Sequence, residues 1–108
     1  MNISEVSGAD LDCYVAKMQG FSDVVTRDGK CIVAEKGKEK YWYSPSHNWA
    51  LGGPLIEKEL MTLLAPHTEH NEGAWWKAIC GGWEAGGATL LEAAMRCYVC
   101  SKYGACVL

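Results

Sequence analysis

The segment Thr89–Gly104 constrains this chain more than any other. Leu90, Leu91, Ala93, Ala94, Met95, Cys97, Tyr98, Val99 and Cys100 put apolar side chains on nearly every side of a helix. A helix that is apolar all round is central, not peripheral. Its ends are marked as well. Thr89 stands at the cap, Glu92 completes a T-x-x-E box, and Gly104 follows the last turn. The chain has 108 residues, enough for one domain and one modest core. The remaining segments therefore have to be arranged around this helix, which is expected to lie across a small antiparallel sheet.

Those segments can be read in order. Ser7 precedes a run in which Leu11, Val15 and Met18 recur on one helical face, and Gly20 ends it. Ser7 and Asp10 fit a capping box, with Val6 and Leu11 as its hydrophobic staple. Asp28-Gly29 between Asp23–Thr26 and Lys30–Glu35 signals a hairpin. A third strand is expected over Glu39–Tyr43. A second helix is expected over Pro54–Leu64, with Gly53 before it and Pro66 as its stop. Trp75–Cys80 alternates as a strand, with Trp75, Lys77 and Ile79 on one face and Trp76, Ala78 and Cys80 on the other. Gly81–Gly87 reads as a flexible connection. The fold class is α+β: a small antiparallel sheet packed against a central C-terminal helix and two further helices, in a single domain over residues 1–108.

Charge and composition narrow the function. The net charge is −3 and the basic residues are scattered, apart from Lys36, Lys38 and Lys40 in a polar loop. A protein that grips nucleic acid normally shows a basic face, so nucleic acid is disfavoured as a partner. The start of the chain has neither a basic segment nor an apolar run, so no export signal is expected. No stretch approaches the ~18 apolar residues of a membrane span, and no membrane partner is expected. The six cysteines read as reduced thiols that act as small buried hydrophobes. Cys97-x-x-Cys100 lies within a helix and lacks the second pair that a zinc ribbon needs. His67-x-x-His70 with Glu69 and Glu72 has metal-like spacing but follows Pro66 and reads as a polar loop. Neither metal nor cofactor is expected.

The densest chemistry lies in Tyr41–Glu59. Aromatic rings, Ser44, Ser46, Asn48 and a Gly52-Gly53-Pro54 turn follow one another closely. No nucleophile elbow or recognised catalytic constellation accompanies them. The chain is therefore read as a binding protein rather than an enzyme. Aromatic residues are numerous for one small domain: Trp42, Tyr43, Trp49, Trp75, Trp76 and Trp83. Some must be core, and exposed ones suit stacking on a planar ligand or an oligomer interface. Gly52-Gly53 and Gly86-Gly87-Ala88-Thr89 each lead into an expected helix start, where free N–H groups can hold an anion. Arg96 either pairs with Glu92 one turn earlier or stands at a pocket mouth, facing a carboxylate, a phosphate or another subunit.

Three blocks carry a family resemblance. They are Ser4-Glu5-Val6-Ser7-Gly8 with Leu11-Asp12, Tyr43-Ser44-Pro45-Ser46 through Trp49-Ala50 and Gly52–Glu57, and Ala93–Val99 with Ser101-Lys102 and Gly104. In that order they resemble the phage NinX-like family of small accessory proteins from tailed phages and prophages. Asn48 stands where the family commonly has Asp. Gly81–Gly87 is richer in Gly and Trp than the family pattern. The resemblance implies a phage origin and action in the cytoplasm of an infected bacterium. It carries no enzymology. By analogy with other phage accessory proteins, it suggests a sponge for a nucleotide-derived immune signal of the ADP-ribose kind. In that reading Trp49 or Trp76 stacks on the base. Gly52, Gly53, Ser44 and Ser46 hold phosphate or ribose oxygens, Tyr43 and Asn48 belong to the same binding site, and Arg96 answers a charge. The other readings are a protein-binding inhibitor of a host enzyme, a small hydrolase of such a signal, and a nucleic-acid accessory factor. A homo-oligomer is expected, because so short a chain gains from sharing apolar surface.

Overall fold

The computed structural model describes residues 2–66 and 75–107. A 3-10 turn, Ile3–Glu5, leads into helix α1, Gly8–Gln19. Strands β1 (Asp23–Arg27), β2 (Lys30–Ala34) and β3 (Tyr41–Trp42) follow. Helix α2 spans Trp49–Lys58, and β4 spans Thr62–Leu64. Strands β5 (Trp76–Cys80) and β6 (Trp83–Gly87) precede helix α3, Leu90–Tyr103.

The class is α+β, and α3 is its hub as expected. It packs on β5 and β6 and also touches α1 and α2. Every residue from Ala93 to Cys100 is buried. Thr89 Oγ1 accepts the Glu92 N–H at 3.1 Å, while Glu92 Oε1 accepts the Ala88 N–H at 3.0 Å. The last turn closes at Gly104, whose left-handed φ of 76° needs no side chain.

The strands form two sheets rather than one. β1-β2-β3 is antiparallel, and so is β4-β5-β6. Asp28 and Gly29 turn the first hairpin with φ of 52° and 72°, the paired positive values of a type I′ turn. Gly81 and Gly82 do the same for the second, with φ of 56° and 85°. The segment read as a flexible connection is therefore a tight turn followed by β6. Its Gly-rich sequence hid a strand whose side-chain volume comes from elsewhere. A Cβ at Gly86 would collide with the Trp75 indole, which occupies that space. A Cβ at Gly87 would meet Ala93 N at 2.5 Å, so only glycine lets the first turn of α3 lie on β6.

Two helix starts differ from expectation. Ser7 is extended and makes no side-chain capping bond to α1. Helix α2 begins five residues before Pro54, at Trp49, because Asn48 caps it by accepting the Ala50 N–H at 2.9 Å. Pro54 lies inside the helix on an exposed position, where its missing N–H faces the carbonyl of Ala50, itself an exposed residue. The helix ends at Lys58, and Leu60 leaves it with a positive φ of 53°. The expected last turn is instead β4, paired with β5 from Thr62↔Ile79 to Leu64↔Lys77.

The reduced state expected of all six cysteines does not hold for two of them. Gly104 reverses the chain, and Cys106 returns to form a disulfide with Cys100 at a Cα separation of 4.6 Å. The returning tail also pairs with the N-terminus: Ile3 N–H donates to Cys106 O at 2.8 Å, and Asn2 bridges Val107. Cys13, Cys31, Cys80 and Cys97 are free and buried. His67, His70, Glu69 and Glu72 lie outside the described residues.

Candidate functional site

A cleft of about 300 Å³ opens where the start of α1 meets the end of β3 and the loop after it. Gly8, Ala9 and Asp12 come from α1, Gly29 from the first hairpin turn, and Trp42, Ser44 and His47 from the β3–α2 segment. The loop is anchored before it reaches the cleft. Tyr43 N–H donates to Cys31 O at 2.8 Å, and the Tyr43 ring is buried 5.0 Å from that of Phe21. Burial holds its phenol well above the ordinary range. Pro45 is fully buried. The Ser44 carbonyl then accepts the N–H groups of His47 and Asn48, at 3.0 and 2.8 Å. Trp42 ends β3 at 54% exposure, with Lys30 Nζ 4.8 Å from its ring centre.

Beneath the loop runs a polar chain. Ser46 N–H donates to Asp12 Oδ1 at 2.9 Å, and the Ser46 hydroxyl hydrogen-bonds the same carboxyl group. That hydroxyl is also 2.8 Å from His47 Nδ1. With Asp12 ionised the hydroxyl donates to the carboxylate and accepts from the imidazole Nδ1–H. Asp12 is only 2% exposed. Burial raises its pKa; the Ser46 hydrogen bonds and His47 oppose this without cancelling it. The order of groups differs from a hydrolytic triad, in which the imidazole stands between carboxylate and hydroxyl. Here the hydroxyl is the middle member, and Ser46 is buried.

The residues singled out in the sequence separate into groups. Ser44 lines the cleft, and Ser46 braces it from below. Tyr43 is core, and Asn48 is the cap of α2. Trp49 is 55% exposed at the first turn of α2 and does not line the cleft. Its ring lies over Gly53, 3.8 Å from where a Cβ there would stand. Gly52 and Gly53 are inside α2, not ahead of it, and Gly52 N–H is satisfied by Asn48 O at 2.9 Å. Gly52 instead allows contact: a Cβ would stand 2.5 Å from Pro45 O and 2.8 Å from Leu91 Cδ2. Trp76 is half-buried against the core. Arg96 is 4% exposed and faces inward. Its Nε donates to Val6 O at 2.9 Å, and its Nη1 reaches Gly86 O at 2.9 Å and Glu92 Oε1 at 3.1 Å. This is a structural clamp rather than a guanidinium at a pocket mouth.

Gly8, Ala9, Asp12, Gly29, Trp42 and His47 complete the cleft, and none of them is among the residues the sequence assigned to the ligand. One of them left a signal. Asp12 recurs with Val15 and Ala16 on the buried stripe of α1. A carboxylate at such a position needs a partner.

A family model described as Bacteriophage P22, NinX matches residues 2–102. The chain belongs to this phage NinX family. The match takes in every residue of the cleft and all of α1, α2 and the six strands. It stops just short of the end of α3, so the Cys106 tail lies beyond it. No curated protein matches the chain. NinX membership makes this a phage protein. Among the described residues no helix is long and apolar enough to cross a membrane.

Proposed function

We propose that this NinX-family chain is a non-catalytic phage accessory protein that binds and holds a nucleotide-derived small molecule. The occupant we infer is an ADP-ribose-like host immune signal, withdrawn from the defence system in the cytoplasm of the infected cell. One observation carries the reading: the cleft places the start of a helix, a hydroxyl and an exposed indole on one small surface. Helix starts favour anions and indoles favour planar rings, and a nucleotide offers both. The buried Ser46 hydroxyl and the inverted order of Asp12, Ser46 and His47 support holding over hydrolysis. With Gly52, Gly53 and Arg96 given structural roles, the ligand groups are those of the cleft: Ser44, Trp42, His47 and the start of α1.

The test is a depletion assay. Purified protein is mixed with extract from cells whose defence has been triggered, and the mixture is filtered. The filtrate should lose its ability to activate the defence effector, and heating the retained protein should return the signal intact. A filtrate that stays active sinks the reading. A chemically altered product released over many turnovers would replace it with a hydrolase.

A second reading is favoured by Trp49, whose ring is exposed outside the cleft. Exposed tryptophan is a frequent anchor at protein interfaces. It fits an inhibitor docked on a host enzyme, or a second copy of this chain. A stoichiometric protein partner in a pull-down that Trp49→Ala abolishes, with no small molecule in native mass spectrometry, would establish it.

A further inference from the structure

The order of groups in the Asp12–Ser46–His47 chain fixes where its hydrogens lie. Asp12 and Ser46 are both buried, so the carboxylate draws its hydrogen bonds from the protein. An ionised carboxylate only accepts, and Ser46 supplies it with both its N–H, at 2.9 Å, and its hydroxyl. The hydroxyl has one hydrogen, and the carboxylate takes it. What remains toward His47 Nδ1, 2.8 Å away, is a hydroxyl lone pair. Nδ1 then carries the imidazole hydrogen, because two facing lone pairs repel. A neutral imidazole has only one such hydrogen, so Nε2 is left as an acceptor. Nε2 stands across the ring from Nδ1. Nδ1 is turned inward to Ser46, and His47 is itself exposed and lines the cleft, so Nε2 lies on the open side.

We propose that His47 selects the ligand of the cleft by offering Nε2 as an acceptor to a hydroxyl or amine hydrogen, and that Ser46 and Asp12 are positioning residues that hold the ring in this form. This rests on the small-molecule reading above and gives its occupant a chemistry on one side: a neutral hydrogen-bond donor on a cleft that also carries the exposed Trp42 ring. An anionic oxygen is turned away from this wall. It would meet the Nε2 lone pair, and the Asp12 carboxylate lines the same cleft. The phosphate of a nucleotide therefore points away from His47, and its sugar or base points toward it. The ribose hydroxyls and the adenine amine both have the required hydrogen.

The first measurement needs no ligand. Long-range proton–nitrogen NMR of the full chain at about pH 8.5, where an ordinary imidazole is neutral, tells a protonated ring nitrogen from a bare one. His47 should show Nδ1 protonated and Nε2 bare. Ser46→Ala should return the ring to the Nε2–H form that a free imidazole favours. Asp12→Asn, whose amide NH2 can donate to the Ser46 hydroxyl, should shift it the same way. A bare Nδ1 in the unaltered chain overturns the proposal without any variant, and so does a ring unmoved in both folded variants. The second measurement is calorimetric titration with adenosine, its 2′-, 3′- and 5′-deoxy forms, and purine riboside, which lacks the amine. His47→Ala, at an exposed position, should weaken adenosine by about fivefold, the scale of one neutral hydrogen bond. One analogue should lose the same factor on the unaltered chain and nothing further on His47→Ala. A deoxy form in that role identifies a hydroxyl as the donor, and purine riboside identifies the amine. Adenosine that does not bind, that binds His47→Ala equally well, or that binds no better than any analogue overturns the selection. The two readings fail separately. A depleted filtrate with Nε2 protonated leaves sequestration standing and removes His47 from it; the expected ring form and analogue pattern, with an active filtrate, do the reverse.

Discussion

The Nε of Arg96 donates to the carbonyl oxygen of Val6 at 2.9 Å, joining residues 90 positions apart. Through the same guanidinium, Gly86 of β6 and Glu92 of α3 meet at one point. Trp75 lies beside it, with its ring centre 5.8 Å from the guanidinium carbon. Four segments of the chain are thus fixed by one side chain. Val6 lies two residues before Gly8, the first residue of α1, so the clamp also fixes the entry to that helix.

Replacing Arg96 should therefore be severe. Arg96→Ala removes the donor from two carbonyls and leaves the largely buried Glu92 carboxylate with the Ala88 N–H but without its cation. Breaking such a buried pair typically costs about 3–5 kcal/mol. Arg96→Lys keeps the charge but not the planar fork, so it should recover only part of the loss. Urea unfolding of the three proteins measures both steps. A change within about 0.5 kcal/mol, the range of an ordinary surface site, would show that the clamp is not structural.

Gly52 and Gly53 make opposite predictions although they are adjacent. Alanine is the better helix former by about 1 kcal/mol. At Gly53 a Cβ meets only Trp49 Cε3, at 3.8 Å, so Gly53→Ala should stabilise α2. At Gly52 the Cβ stands 2.5 Å from Pro45 O, and backbone cannot yield as a flexible side chain can. Gly52→Ala should lose about 1–3 kcal/mol to overpacking, despite its better propensity. Thermal melts of the two variants should move in opposite directions, and a shared sign would contradict the packing of α2 on Pro45.

The same pair of glycines shows how far the sequence could be read. Sustained local patterns were legible: the apolar run of α3 between Thr89 and Gly104, the i, i+4, i+7 stripe of α1, and Asp28-Gly29 between β-branched runs. The start of α2 was not, because Gly52-Gly53-Pro54 is an ordinary helix-entry pattern. What overrode it was the Asn48 cap and the close contact with Pro45 and Leu91, the latter distant in sequence. β6 was missed for a related reason: the indole of Trp75 fills the space above Gly86. The cleft was half legible. Ser44 lies in the stretch that drew notice, whereas Gly8 and Asp12 come to it from α1.

Four thiols should be inert in the folded protein. Cys13, Cys31, Cys80 and Cys97 are buried, and burial pushes Cys97 up to about 12, far from the thiolate that alkylation requires. Iodoacetamide at pH 8 should label none of them until denaturant is added. Cys106→Ser should free the tail from Cys100 and loosen its pairing with Asn2 and Ile3. For so short a loop the cost is about 2 kcal/mol by loop-closure entropy. Mass spectrometry after labelling, with and without reductant, checks both points; rapid native labelling of Cys97 would contradict its place in the core.

Asp12 makes a prediction whose sign is set by burial. Its folded pKa lies above the ordinary carboxylate value, because desolvation outweighs the hydrogen bonds from Ser46 and the charge of His47. As pH falls, the folded protein takes up the Asp12 proton before the unfolded chain does. The folded state then binds more protons, so this residue makes stability rise as pH drops toward the ordinary carboxylate value of about 4. At neutral pH the ionised group is a cost. Asp12→Asn keeps an oxygen to accept the Ser46 N–H and removes the titration. The variant should be at least as stable as the parent at pH 7, with that advantage shrinking steadily toward pH 4. Urea midpoints across the range give the difference curve, in which titrations common to both proteins cancel. A flat difference would mean that Asp12 does not titrate above its unfolded value. A variant weaker at pH 7 than at pH 4 would mean that the ionised carboxylate is favoured by Ser46 and His47 more than it is penalised by burial.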